Sequence, residues 1–375
     1  QERRETQMKK LVAIVVALIA SLSMAASAQA ANETVEGTTN ISAINGPLYQ
    51  TKAVPVNLMI RAEVTTPAES PKVNPLKNSK ITFPAGVSFN PNNSKTPACT
   101  DNMLSVTSNL ADPSGVVASC EDSVVGTGTS AIVLAKVNLP ETLIEDPILV
   151  LFNAGTDSKG QAKVKIYGYS KTTNVGILMH GTLVKGVLDV AVPVLSDDSA
   201  VKYYQFDLPG PGLDRDDINV HTEGKDPNYV RAICPASGIL KTNSEFVLGE
   251  RAYPAGTDTG PETTVDSPET TQNCTGQVGA PKLSASVTGS KSVKSGAKGT
   301  YKVKVTNKGT GVAKSVSVTG TGGAKGSTSN VNPGASKTVT VKAKVTGRKG
   351  SKKTLTFTAK SGKSSAKATI KVTVK

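Results

Sequence analysis

Apolar residues recur along this chain at every second position far more often than at helical spacing. Tyr301-Lys302-Val303-Lys304-Val305 sets Tyr and Val on one side of an extended backbone and Lys on the other. Val339 to Val345 repeats the alternation, and Leu355-Thr356-Phe357 and Ile370 to Val374 complete it. Leu283 to Val287 and Val316 to Val318 add two further runs. Turn signals separate them: Asn307-Lys308-Gly309, Thr321-Gly322-Gly323, Asn332-Pro333-Gly334 and Ser361-Gly362. Six or seven short strands in these 95 residues predict an Ig-like sandwich over 281–375.

Upstream the pattern is β-like but less regular. Val54 to Val64 alternates loosely, and Lys80 to Phe89 reads as a strand, a turn and a strand. Ile148 to Phe152, Ala162 to Tyr169, Val175 to Val184, Leu188 to Leu195 and Tyr203 to Leu208 extend the series. Proline-rich joints and the lack of long 3.6-period runs argue against a substantial helical part. Pro254 to Glu269, rich in Pro, Thr and acids, reads as a flexible loop, and Thr275 to Ala280 as the join that follows. The predicted fold class is all-β: tandem β-sandwich modules with a C-terminal Ig-like sandwich, preceded by a cleaved signal peptide. Residues 31–280 would form the β-rich body, as one or two sandwich-like modules, and 281–375 the Ig-like domain.

The leader is read from Met8, Lys9 and Lys10, the apolar run Leu11 to Leu22, and Ala28-Gln29-Ala30. A basic start, a short apolar core and an A-x-A site describe a secretory signal peptide cut after Ala30, with residues 1–7 upstream of the expected start. The run is shorter than the ~20 residues of a membrane span. No Cys stands near the cut, which argues against a lipid anchor. Leu139-Pro140-Glu141-Thr142 opens like a sortase signal, but Leu143 stands where Gly is required, and the segment reads as a loop. The expected location is secreted, in solution or associated noncovalently with the cell wall, with no integral membrane segment after signal removal.

Charge divides the chain sharply. Residues 281–375 hold 20 Lys, Arg348 and no Asp or Glu, whereas 31–280 hold 18 basic and 27 acidic residues. Hydrophobic residues make up 37% and there is no Trp, which favours several small Val- and Thr-rich cores over one large one. Cys99, Cys120, Cys234 and Cys274 suggest two disulfides in an exported chain. Three pairings are open, and local pairing, Cys99 with Cys120 and Cys234 with Cys274, is the simplest. Neither C-x-x-C spacing nor nearby His supports zinc.

The order Leu283 to Val287, Gly299-Thr-Tyr-Lys-Val-Lys-Val-Thr-Asn-Lys-Gly309 and Gly311 to Val316 resembles bacterial cell-adhesion-related (CARDB-type) Ig-like repeats. The resemblance covers the last quarter of the chain and implies a fold more than a ligand. The lack of acids departs from many such repeats and excludes a self-formed Lys–Asn isopeptide bond, which needs a carboxylate. Ile81-Thr-Phe-Pro-Ala-Gly-Val87 with the downstream cysteines is similar to secreted proteins of high-GC Gram-positive bacteria and implies no activity.

Candidate chemistry is sparse. His180 sits in an apolar β-run and reads as a strand-face residue, and no G-x-S-x-G turn supplies a nucleophile for it or for His221. Asp214-Arg215-Asp216-Asp217, His221, Glu223 and Asp226 form the densest acidic group, with spacing only partly right for calcium, so a solvated loop is the simpler reading. Tyr167 and Tyr169 share a strand face with Lys163 and Lys165, and Tyr203 is a further aromatic: a sugar platform, or packing beneath neighbouring chain. No catalytic site, cofactor or metal is implied.

The polycationic domain carries the functional expectation. Its field attracts anionic polymers and is weakened by salt. Lysine-dominated charge with inward-facing Tyr301 and Phe357 argues against specific nucleic-acid recognition. The expected protein is therefore non-enzymatic, structural or adhesive, and held on anionic cell-envelope polymers or acidic glycans. Lys302, Lys304, Lys342, Lys344, Arg348, Lys349, Lys352 and Lys353 form the diffuse patch. The alternative is a carbohydrate- or calcium-binding body with the Ig-like domain as spacer.

Overall fold

The strand Val54–Thr65 buries Val54, Val56, Leu58, Ile60, Ala62 and Val64 on one face, as its alternation predicts. The computed structural model describes residues 33–66, 73–92, 95–105, 109–134, 143–194, 196, 199–223, 226–253 and 255–375. The expected signal peptide, with Ala28 and Ala30, and the segment Leu139 to Thr142 lie outside the described residues.

The body begins with β1 (Thr34–Ala43), β2 (Val54–Thr65), β3 (Leu76–Thr82) and β4 (Val87–Phe89). Two short helices follow, α1 (Asp101–Ser105) and α2 (Pro113–Ser119), then β5 (Val124–Val133), β6 (Leu143–Ile144) and β7 (Ile148–Thr156). β8 (Ala162–Ser170), β9 (Val175–Val184), β10 (Val187–Ala191) and β11 (Ala200–Leu208) form the middle. β12 (Leu213–Arg215), β13 (Val220–Thr222), β14 (Val230–Ala232), β15 (Ile239–Ala252) and β16 (Thr257–Asn273) close the body.

All of these strands except the β12–β13 hairpin join one sheet, ordered β16-β15-β3-β10-β9-β8-β7-β5-β11-β2-β14-β4, with β1 on β2 and β6 on β5. Residues from β1, β2, β3, β7, β8, β10 and β15 share one hydrophobic core, so the sheet folds back on itself. The turn from fold to return is held by side chains: β1 packs on β16, with Gly37 N–H donating to Ser267 Oγ at 2.7 Å.

One expectation is corrected here. Most of the segment read as a flexible Pro/Thr/acid-rich loop belongs to β16, a 17-residue strand that runs on to Asn273 and pairs antiparallel with β15. Its threonines and Val265 suit an extended edge strand, and tertiary pairing outweighs the proline and charge content. The strand, turn and strand expected over Lys80 to Phe89 are present as β3 and β4, which take different partners: β3 lies between β10 and β15, while β4 pairs with β14.

β7 and β8 are buried on both faces because α1 and α2 cover the outside. Asp112 caps α2 by accepting the Gly115 N–H at 3.1 Å, and Pro113 opens its first turn. The Cys99–Cys120 disulfide ties this cover together, and Phe152, Tyr167 and Tyr169 pack beneath it. The second disulfide, Cys234–Cys274, joins the chain after β14 to that after β16. The simplest pairing expected from the sequence is the one observed.

Residues 283–374 form two further sheets. β17 (Leu283–Gly289), β18 (Ser292–Val293), β19 (Lys298–Asn307), β20 (Val316–Gly320) and β21 (Ala324–Thr328) precede β22 (Ser336–Lys344), β23 (Lys352–Ser361) and β24 (Ser364–Val374). β17-β19-β22 face β18-β24-β23-β20-β21 in an Ig-like sandwich. Tyr301 and Phe357 are fully buried between them, ring centroids 5.3 Å apart. Every run predicted here is a strand, and β18 and β21 are additional.

Candidate functional site

The outer faces of this sandwich are lattices of lysine and threonine. Inward Tyr301, Val303 and Val305 force Lys302 and Lys304 outward on β19, and Val341 and Ala343 do the same for Lys342 and Lys344 on β22. The register sets Lys302 opposite Thr340, Lys304 opposite Thr338 and Lys342 opposite Thr300. Lysines therefore sit diagonally, avoiding direct like-charge opposition. Lys298 opposite Lys344 is the exception, at the end of the sheet.

The second sheet repeats the device. Lys352 faces Thr373, Lys371 faces Thr354 and Lys367 faces Thr358. All eight residues of the predicted patch are exposed, but they divide. Lys302, Lys304, Lys342 and Lys344 share one face, while Arg348 and Lys349 lie in the β22–β23 connection beside Lys352 and Lys353 at the start of β23. Lys360, Lys367 and Lys371, on the outer surface of the second sheet, extend the lattice to the opposite side. Period-two reading of β23 and β24 carries the signal for these three. Outward neighbours on one strand stand about 7 Å apart and adjacent strands about 4.8 Å apart, a grid of ammonium and hydroxyl groups suited to repeated anionic groups.

The remaining candidates resolve individually. Tyr167 and Tyr169 are not an exposed platform: Tyr167 donates to Leu110 O at 2.5 Å, and Tyr169 to Asn174 Oδ1 at 3.1 Å. Lys165, beside them, is buried under α1, donating to Cys99 O and pairing with Asp101. Tyr203 lies apart, on β11, with the Arg61 guanidinium 4.7 Å from its ring centroid. His180 is an exposed strand-face residue of β9.

The acidic hairpin separates as well. His221 Nδ1 lies 2.7 Å from Asp214 Oδ1, and Asp216 is near the other ring nitrogen at 3.7 Å. Among the described residues these three could converge on a metal, and all are exposed. Asp217 instead pairs with Arg215 and Lys171, and the Arg215 hydrogen bond, with the two cations, holds its carboxyl well below the ordinary range. Asp226 is buried and accepts from Thr96 Oγ1 at 2.8 Å. The expected cluster is thus not a single ligand set.

No family model matches the chain, and no curated protein matches it. Among solved structures it is similar to the T6 backbone pilin of serotype M6 Streptococcus pyogenes, at 9% identity and a TM-score of 0.25, over 91% of this chain and 52% of the pilin. It is similar to red sea bream transglutaminase at 10% identity and a TM-score of 0.20, over 90% of this chain and 31% of that one. A structure addressing Dscam isoform specificity matches at 10% identity and a TM-score of 0.17, over 90% and 72% of the two chains. The chain spans about half the length of the pilin and a third of the transglutaminase. Likenesses this slight carry no argument, and the all-β assignment rests on the strands themselves. Among the described residues, no helix is long and apolar enough to cross a membrane.

Proposed function

We propose that this is a non-enzymatic extracellular structural or adhesive protein, held by its C-terminal sandwich on anionic cell-envelope polymers through summed charge. The observation that carries the reading is the lysine–threonine lattice on both outer faces of a domain with 21 basic residues and no Asp or Glu. Internal acids would neutralise such a field, and their exclusion leaves it whole. Two disulfides and the expected signal peptide support an oxidising, extracellular setting. The resemblance of the β17–β20 segment to CARDB-type repeats supports the adhesive reading.

The test is retention on purified cell walls across a salt series. The full chain is expected to bind at low salt and to be released as salt rises. Changing Lys302, Lys304, Lys342 and Lys344 to Gln should weaken retention, and adding Lys360→Gln, Lys367→Gln and Lys371→Gln should weaken it further. Wild-type retention by the seven-fold variant would refute the mechanism.

A further inference from the structure

Eight consecutive neighbours of the body sheet, β3-β10-β9-β8-β7-β5-β11-β2, wrap around a cavity of about 260 Å³. The wall is aliphatic across both layers, with Ile60, Leu149, Ile166, Ile177 and Val190 facing one another, and no Asp, Glu, Lys, Arg or His lines it. Its polar atoms are mainly hydroxyls. Ser79 Oγ and Tyr204 Oη satisfy each other across the lumen at 2.7 Å, joining strands six places apart in the sheet. Burial pushes the Tyr204 phenol up, so it stays neutral there.

The cavity reaches one end of the fold. Leu134 follows β5, Pro147 precedes β7, Thr173 lies in the β8–β9 turn, and Ser196 and Ser199 lie between β10 and β11. The buried Thr173 Oγ1 has no hydrogen-bond partner among the described residues, a polar atom left at the mouth. Inside, water would find too few partners: an apolar void of ~150 Å³ stays dry and takes benzene, and this one is larger. It follows the strands from Leu76 to Ile81 and from Val175 to Met179, a length of about 13–17 Å, between layers about 10 Å apart. That is long and narrow rather than flat.

We propose that this lumen binds a single alkyl chain, the tail of a fatty acid or of a membrane lipid, with its polar head among the hydroxyls at the mouth. The site belongs to the body and goes beyond the charge-based attachment, which uses other residues.

The experiment titrates the full chain with cis-parinaric acid, whose fluorescence rises in an apolar site, and competes it with palmitic acid. A saturable one-to-one signal displaced by palmitic acid is expected. Ile177→Trp, which fills the lumen, should weaken binding at least ten-fold with the thermal midpoint retained. Val201→Phe, at the half-buried mouth, serves as the second variant if the first is destabilised. No saturable binding by the wild type, or wild-type affinity in both folded variants, would overturn the proposal. Incubation with phospholipid vesicles followed by lipid extraction separates the sources: recovered phospholipid assigns a bilayer tail, and binding of free acid alone assigns a fatty acid.

Discussion

The carboxamide of Gln272 holds both backbone polar groups of Ile41, accepting its N–H and donating to its carbonyl, each at 2.8 Å. A side chain of β16 thereby does for the edge of β1 what a neighbouring strand would do. With Ser267 on Gly37 and Thr242 of β15 on Thr39, it joins the β15–β16 end of the body sheet to β1 without a backbone ladder. Open edges invite pairing with other chains, and this seam removes one.

Gln272→Ala leaves the N–H and carbonyl of Ile41 without those partners. The expected cost is about 1–2 kcal/mol, read as a lower denaturant midpoint at unchanged slope. An unchanged midpoint would show that solvent replaces the amide fully.

Replacing Cys99 and Cys120 together with Ala should destabilise the chain by about 3 kcal/mol on the loop-entropy argument. The loss should concentrate in the α1–α2 cover, because Tyr167 and Tyr169 lie beneath it. Hydrogen exchange checks this: amides of 109–120 and of β8 should lose protection first, while those of β19 and β22 keep theirs.

Asp146 gives the body an acid-sensitive tie. Burial opposes its ionisation, but the Thr172 N–H and the Ser170 hydroxyl, each donating at 2.8 Å, outweigh this and hold its pKa below the ordinary value. A depressed carboxylate pKa stabilises the fold above the unfolded value, about 4, and the contribution fades as pH falls through the folded one. Asp146→Asn should therefore melt below the wild type at neutral pH, and the gap should narrow as the solution is acidified below about pH 4. A gap independent of pH would show that the ionised form contributes nothing.

The lysine lattice should serve binding at some expense to the fold. Changing Lys298, Lys302, Lys342 and Lys344 to Gln removes repulsion from one face, so the thermal midpoint at low salt should rise slightly. The rise should vanish at high salt. A fall at low salt would mean that these side chains pack or pair in ways that outweigh repulsion.

Much of the tail domain was legible from alternation alone, since Val303, Val341 and Phe357 each mark an inward strand position that local pattern encodes. The body was harder to read. β5, with Gly126 and Gly128 among its residues, lacks an alternating signature, because close approach to β11 there needs small residues: a Cβ on Gly128 would sit 2.0 Å from Gln205 O. Helix α2 did carry a signal, Asp112-Pro113, but it is only seven residues long. For the tyrosines of β8 strand parity left two readings open, an exposed platform or packing beneath other chain, and the disulfide-tied cover decides for packing.

The sequence by itself determined the all-β class, the strands of the basic sandwich and the outward placement of its lysines. Those follow from a two-residue period and from charge, which are local. Only the tertiary structure decided that β16 is a strand, that Gln272 seals Ile41, and that eight strands enclose a lumen crossed by Ser79 and Tyr204. Each depends on residues that meet across the folded sheet, and a pattern that reports which face a side chain takes holds no record of what it will face.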